Sequence, residues 1–235
     1  MTKRILSLFV SVWVGFSLGV STSAAQTAAP AAVQTKQSQA GMTPKAALEQ
    51  LKEGNARFVG GHRLPRDYSA QIKATAAGQY PFAAVVSCMD SRAPVEIVLD
   101  QSIGDVFSVR VAGNVIDPDI LGSLEYAAKV AGVREILVLG HTHCGAVHGA
   151  IDDVKLGNLT GLLARIAPAI AQSGPKGSSK DEAYVDRVVE QNVRVSMKEI
   201  RDKSPILSQM LDSGALGLSG AVYSIETGRV KFLAD

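Results

Sequence analysis

Apolar residues fall along the chain in two kinds of run. The first kind is short and unbroken: Phe82-Ala-Ala-Val-Val-Ser-Cys88, Val106-Phe-Ser-Val-Arg110 and Glu135-Ile-Leu-Val-Leu-Gly140. A strand covered on both faces shows this pattern, because neither side has to alternate with polar residues. The second kind repeats at helical spacing. Thr43-Pro44 offers a cap and a first-turn proline, and Ala47, Leu48, Leu51 and Phe58 continue the stripe, predicting a helix through about Val59. Residues 120–130, 159–171 and 181–203 also predict helices, the last with Val185, Val188, Val189, Val193 and Ile200 along one face. Its charges read as a solvated face. Near the end, residues 218–225 predict a strand, and 229–233 a second extended piece after a turn at Thr227-Gly228. Strands alternating with helices predict an α/β fold: a single domain over residues 42–235 with a central, mostly parallel sheet flanked by helices.

The N-terminus breaks the pattern. Lys3 and Arg4 precede an apolar stretch over 5–20, after which Ser23 and Ala25 stand at the −3 and −1 positions of a cleavage site. The stretch is shorter than the roughly 20 residues a membrane span needs. Residues 1–25 are therefore expected to be a secretory signal peptide, placing the mature chain in the periplasm or outside the cell with no membrane attachment. Residues 26–41, rich in Ala, Gln, Ser and Thr, are expected to form a flexible tether. Composition adds one refinement. The chain is 46% hydrophobic and 20% charged, an ordinary globular balance, and its formal charge of +2 comes from Lys3 and Arg4. Without them 22 basic residues face 22 acidic ones, and no nucleic-acid partner is expected. Two cysteines in 235 residues exclude a disulfide scaffold.

Two of the predicted strands run into unusual residues. One leads into Cys88-Met-Asp90-Ser-Arg92, the other into His141-Thr-His143-Cys144-Gly145. If the first segment stays extended, alternation turns Cys88, Asp90 and Arg92 to one side. In open α/β sheets sites collect at the carboxyl ends of strands, where both motifs fall. Two thiolates and an imidazole suit Zn²⁺, and three protein ligands leave a fourth tetrahedral position open, the arrangement of a catalytic centre. The competing reading is a Cys88–Cys144 disulfide, which an oxidising location favours. It explains the cysteines but not His141, Asp90 or Arg92. His143, between two of these residues, reads as a partly exposed loop residue.

Taken together, Cys88-x-Asp90-Ser91-Arg92 and Gly140-His141-x-x-Cys144-Gly145 resemble the signature of the β-class carbonic anhydrases, over a stretch from about residue 43 to the end. The resemblance implies one zinc per subunit on Cys88, His141 and Cys144. It makes Asp90 and Arg92 a catalytic dyad, with Asp90 able to become a fourth ligand in a closed state. It implies reversible hydration of carbon dioxide to bicarbonate, with zinc-activated hydroxide as nucleophile. Gln79, Phe107 and Tyr126 match the substrate pocket of the open-site branch. A homodimer or homotetramer is also implied, with the helix after Thr43 packed on a partner subunit. One departure matters: the bicarbonate-regulated branch carries a tryptophan in its regulatory pocket, and the single tryptophan here is Trp13, inside the signal segment. Two other readings keep the same residues: a CS₂ or COS hydrolase, and a non-catalytic zinc- or bicarbonate-binding protein. The Asp90–Arg92 pair speaks against the second, since metal storage needs no dyad.

Overall fold

A computed structural model describes residues 30–234, so the expected signal peptide lies outside the described residues. The elements follow in the order α1 Lys36–Ala40, α2 Pro44–Val59, α3 Tyr68–Thr75, β1 Ala83–Ser87, α4 Val95–Val98 and β2 Val106–Arg110. A 3₁₀ turn at Ala112–Asn114 comes next, then α5 Pro118–Glu125, which runs into a π-helical turn at Tyr126–Val130. The remainder is β3 Glu135–His141, α6 Gly145–Ile151, α7 Gly157–Ala164, α8 Ala167–Gln172, α9 Glu182–Lys203, α10 Pro205–Asp212, β4 Gly217–Tyr223 and β5 Val230–Phe232.

The strands form one sheet in the order β2-β1-β3-β4-β5, parallel except for the antiparallel β5. Every residue of β1 and β3 is buried, as their unbroken apolar runs predict. Alternation then divides the core in two. Ala84, Val86, Ile136 and Val138 pack on one face with Val185, Val188 and Val193 of α9. Ala83, Val85, Leu137 and Leu139 pack on the other with Ala47 and Leu51 of α2. The approach of α9 to β3 needs Gly140: a Cβ there would stand 2.8 Å from Val193 Cγ2.

Some boundaries differ from the sequence pattern, each for a local reason. The helix expected over 159–171 breaks between Ala164 and Ala167, where Pro168 lies in the first turn of α8 and has no N–H to continue the α7 ladder. Residues 30–41, the described part of the flexible tether expected over 26–41, make hydrogen bonds to the domain. Gln39 Nε2 donates to Pro81 O at 2.6 Å and Ala131 O at 2.8 Å, and Gln34 N–H donates to Asp105 Oδ1 at 3.2 Å. Composition missed this because the anchors are single polar side chains and not an apolar stripe.

Two buried polar residues fasten α2 to the segments around it. Asp100, in the left-handed region at φ 48°, accepts from Arg57 Nε and Arg66 Nη1, both at 2.6 Å. Two guanidinium partners compensate for burying the carboxylate. Asn55 Nδ2 donates to Val98 O and Gly228 O, both at 2.9 Å, and its Oδ1 accepts from Val230 N–H at 2.8 Å. Asn55→Ala removes three bonds worth about 1 kcal/mol each and strands buried backbone groups, so a loss of about 2–4 kcal/mol is expected from denaturant unfolding. A loss below about 0.5 kcal/mol would contradict this role.

Candidate metal centre

Adjacent parallel strands bring the two motifs together. The register Ser87↔Leu139 sets the carboxyl end of β1 beside that of β3, so Cys88, just past β1, neighbours His141, the last residue of β3. His143, at φ 53°, turns the chain so that Cys144 becomes the N-cap of α6. One ligand atom from each of Cys88, His141 and Cys144 lies within 4.8 Å of the other two, and all three residues are buried. A zinc–sulfur bond of about 2.3 Å gives tetrahedral edges near 3.5–3.8 Å, so the trio needs little contraction to share an ion.

The donor chemistry fits the same ion. His141 Nδ1 bonds Thr142 O at 2.8 Å, which makes Nδ1 the protonated nitrogen and leaves a lone pair on Nε2. Nε2 is buried and has no hydrogen-bond partner. A bare nitrogen held toward two sulfurs is what a metal ligand requires. Neither cysteine is in a disulfide. Cys88 is held down to about 4 by a hydrogen bond from the Cys144 thiol, with the Gly113 N–H adding to it against the cost of burial. Cys144 is pushed well up by its hydrogen bond to Cys88, by burial and by the adjacent thiolate. Without a cation the two sulfurs share one proton; a metal takes its place.

Asp90 and Arg92 stand beside this trio at its solvent side. Arg92 Nε and Nη2 donate to Asp90 Oδ1 and Oδ2 at 2.9 and 2.8 Å, a two-pronged pair. Arg92 N–H adds a bond to Oδ1 at 2.9 Å. These bonds hold the Asp90 carboxyl far below the usual carboxylate range. Asp90 Oδ2 lies 3.8 Å from His141 Nε2, so the carboxylate borders the metal position while bound to Arg92. The grouping matches the sequence reading, but its cause differs. β1 ends at Ser87, and a turn closed by Asp90 Oδ1 on Arg92 N–H, not strand alternation, gathers the dyad.

Arg110 was not visible as a site residue. It ends β2, and its guanidinium donates to Cys88 O at 3.1 Å and Asp90 O at 2.5 Å, fixing the backbone that carries both side chains. A basic residue at the carboxyl end of a predicted strand was the only signal. His143 is engaged as well, with Nδ1 3.1 Å from Glu182 Oε2 and Nε2 3.3 Å from Glu226 Oε1.

The three expected pocket residues stand elsewhere in the single chain. Phe107 pairs in register with Ala84, four residues before Cys88 and hence about 13 Å from it along the strand. Its ring meets that of Tyr126 at 6.2 Å between centroids. The two line an open groove of about 560 Å³ together with Val109, Pro118 and Gly122, and none of the metal-site residues borders it. Gln79 is exposed in the loop before β1, at the amino end of the sheet.

An α/β sheet with a buried Cys-His-Cys trio at its carboxyl edge fits a metal-dependent enzyme, and comparison with known proteins gives the family. Residues 83–230 match the carbonic anhydrase family model. Carbonic anhydrase 2 of Mycobacterium tuberculosis is 40% identical over 192 residues, 79% of this chain and 91% of its own. A carbonic anhydrase of Pseudomonas aeruginosa is 34% identical, with 73% and 83% covered. The solved structure of a β-carbonic anhydrase from Aspergillus fumigatus is 30% identical, with a TM-score of 0.63 and coverage of 81% and 91%. The chain belongs to the β-carbonic anhydrase family.

The thiol chemistry is testable on metal-stripped, reduced protein. With Cys88 ionised above about 4, its alkylation by iodoacetamide should vary little between pH 6 and 9. An ordinary thiol near 8.5 gains about tenfold per pH unit over the lower part of that range. Mass-spectrometric rates at Cys88 that climb in this way would contradict the assignment.

Proposed function

We propose that this chain catalyses the reversible hydration of carbon dioxide to bicarbonate and a proton, with zinc held by Cys88, His141 and Cys144. The observation that carries the reading is the orphaned, buried Nε2 of His141 aimed between two free sulfurs, with an ionised carboxylate at 3.8 Å. Bound zinc supplies a Lewis acid that makes hydroxide available near neutral pH.

The protein's own residues do the rest. Asp90, kept ionised by Arg92, can only accept hydrogen bonds, so it would accept one from the nucleophile and thereby orient a lone pair toward the carbon of carbon dioxide. Arg92 holds both oxygens of Asp90 and so keeps the carboxylate from turning onto the metal. With its side chain 53% exposed, Arg92 also marks the mouth through which bicarbonate and the proton leave.

Gln79, Phe107 and Tyr126 serve the same reaction when two copies associate. Strand β2 is an edge strand with an unpaired side, and Tyr126 and Val130 beside it are 52% and 70% exposed. Antiparallel pairing of two such edges sets the amino end of one β2 against the carboxyl end of the other. That brings Phe107 and Tyr126 of one copy toward the Cys88 site of the second. A π-helical turn carries Tyr126, a local irregularity often found at sites. The same reading places the mature enzyme in the periplasm or outside the cell, supported by the charge and hydropathy pattern of residues 1–25.

Asp90→Asn and Arg92→Ala should each retain one zinc per chain and lose about 10²-fold or more of the hydration rate by stopped-flow. Turnover near that of the parent in either variant would contradict the dyad. For the shared site, mixing Cys88→Ser chains with Tyr126→Ala chains should recover activity that neither has alone. Lack of recovery in a demonstrated mixed oligomer would contradict it.

A further inference from the structure

The Cys88 sulfur has a backbone partner that is itself held from behind by α9. Gly113 N–H donates to Cys88 Sγ at 3.3 Å. The carbonyl of the same residue accepts from Asn192 Nδ2 at 2.7 Å, and that of Asn114 accepts from Ser196 Oγ at 2.9 Å. Asn192 and Ser196 lie one turn apart on α9 and are each 2% exposed, so these bonds form away from water.

The turn they hold needs holding. Gly113 and Asn114 sit at φ 68° and 44°, consecutive left-handed residues that an unsupported chain rarely keeps. Glycine is required at the first position, since a Cβ there would come 2.9 Å from Ile166 Cδ1 and 3.2 Å from Ala146 Cβ. The conformation points the Gly113 N–H at sulfur and its carbonyl at α9. Fixing one end fixes the other.

We propose that Asn192 and Ser196 are positioning residues for Cys88: by clamping the 112–114 turn they keep the Gly113 N–H on the sulfur and set how strongly that thiolate donates to the metal. The proposal rests on the metal assignment above. A hydrogen bond to a thiolate draws charge from it and weakens its donation. Weaker donation leaves a stronger Lewis acid, which offsets the cost of two charge-donating sulfurs among three ligands. Loss of the clamp lets the turn relax, strengthens donation and weakens the acid.

The test compares Asn192→Leu, which keeps size and loses the donor, with Ser196→Ala and with Val188→Ala, a cavity one helical turn before Asn192 that removes no polar group. Each full-length variant and the parent is loaded with Co²⁺ for spectroscopy and with Zn²⁺ for chelator competition and pH profiles. In Asn192→Leu and Ser196→Ala the sulfur-to-cobalt charge-transfer band should move to lower energy. The midpoint of kcat/KM against pH should rise, and zinc affinity should fall by about tenfold or more because Cys88 is no longer held ready for the ion, a loss that outweighs its stronger donation. Val188→Ala should lose stability with band and midpoint unmoved. Should Asn192→Leu fail to fold, Ser196→Ala carries the same readouts. An unmoved band and midpoint in the loaded variants overturn the clamp and leave the metal assignment standing. A parent protein that takes up neither ion overturns both.

Discussion

Three donor atoms packed together with too few protons to satisfy one another are the constraint on which this structure turns. Cys88, His141 and Cys144 are each at most 5% exposed, and the Nε2 of His141 has no hydrogen-bond partner. Burying unsatisfied polar groups costs free energy that an apolar core does not return. The sulfurs answer by sharing one proton, which lowers Cys88 and raises Cys144. A divalent cation would satisfy all three donors at once at the carboxyl edge of the sheet.

The surroundings divide by access to water. On the dry side, α9 packs against β3 over Gly140 and supports the turn behind Cys88. On the wet side, Asp90 and Arg92 form a charged pair whose geometry comes from a short turn and from Arg110 on the neighbouring strand. Rigid, buried ligands and a hydrated dyad suit different tasks. The first must not move when charge develops, whereas the second has to exchange hydrogen bonds with arriving and departing molecules.

Much of this was readable in the sequence where a physical rule is local. Unbroken apolar runs marked β1 and β3, because strands covered on both faces leave no other pattern, and Thr43-Pro44 marked the start of α2. The run of β2 also marked a strand, but one at the sheet edge with no residue fully buried, not the strand covered on both faces that its pattern predicted. The spacing of Cys88, Asp90, Arg92, His141 and Cys144 pointed to side chains that the fold does bring together. What escaped depends on contacts between distant segments. Nothing in Gln39 announces that its amide spans Pro81 and Ala131, and nothing in Asn192 announces Gly113. Alternation pointed to the right residues around Asp90 for the wrong reason, since a turn had already replaced the strand. Phe107 and Tyr126 form a different case: within the chain they line a groove that no metal-site residue borders, so no contact there ties them to that centre.

X-ray absorption at the zinc edge of the reduced, zinc-loaded chain reads the ligand set itself. Two sulfur neighbours at about 2.3 Å, one imidazole nitrogen at about 2.0–2.1 Å and one further light atom at the open position are expected. A zinc shell without sulfur, or a chain that excludes zinc while Cys88 and Cys144 are joined in a disulfide, would contradict the metal assignment.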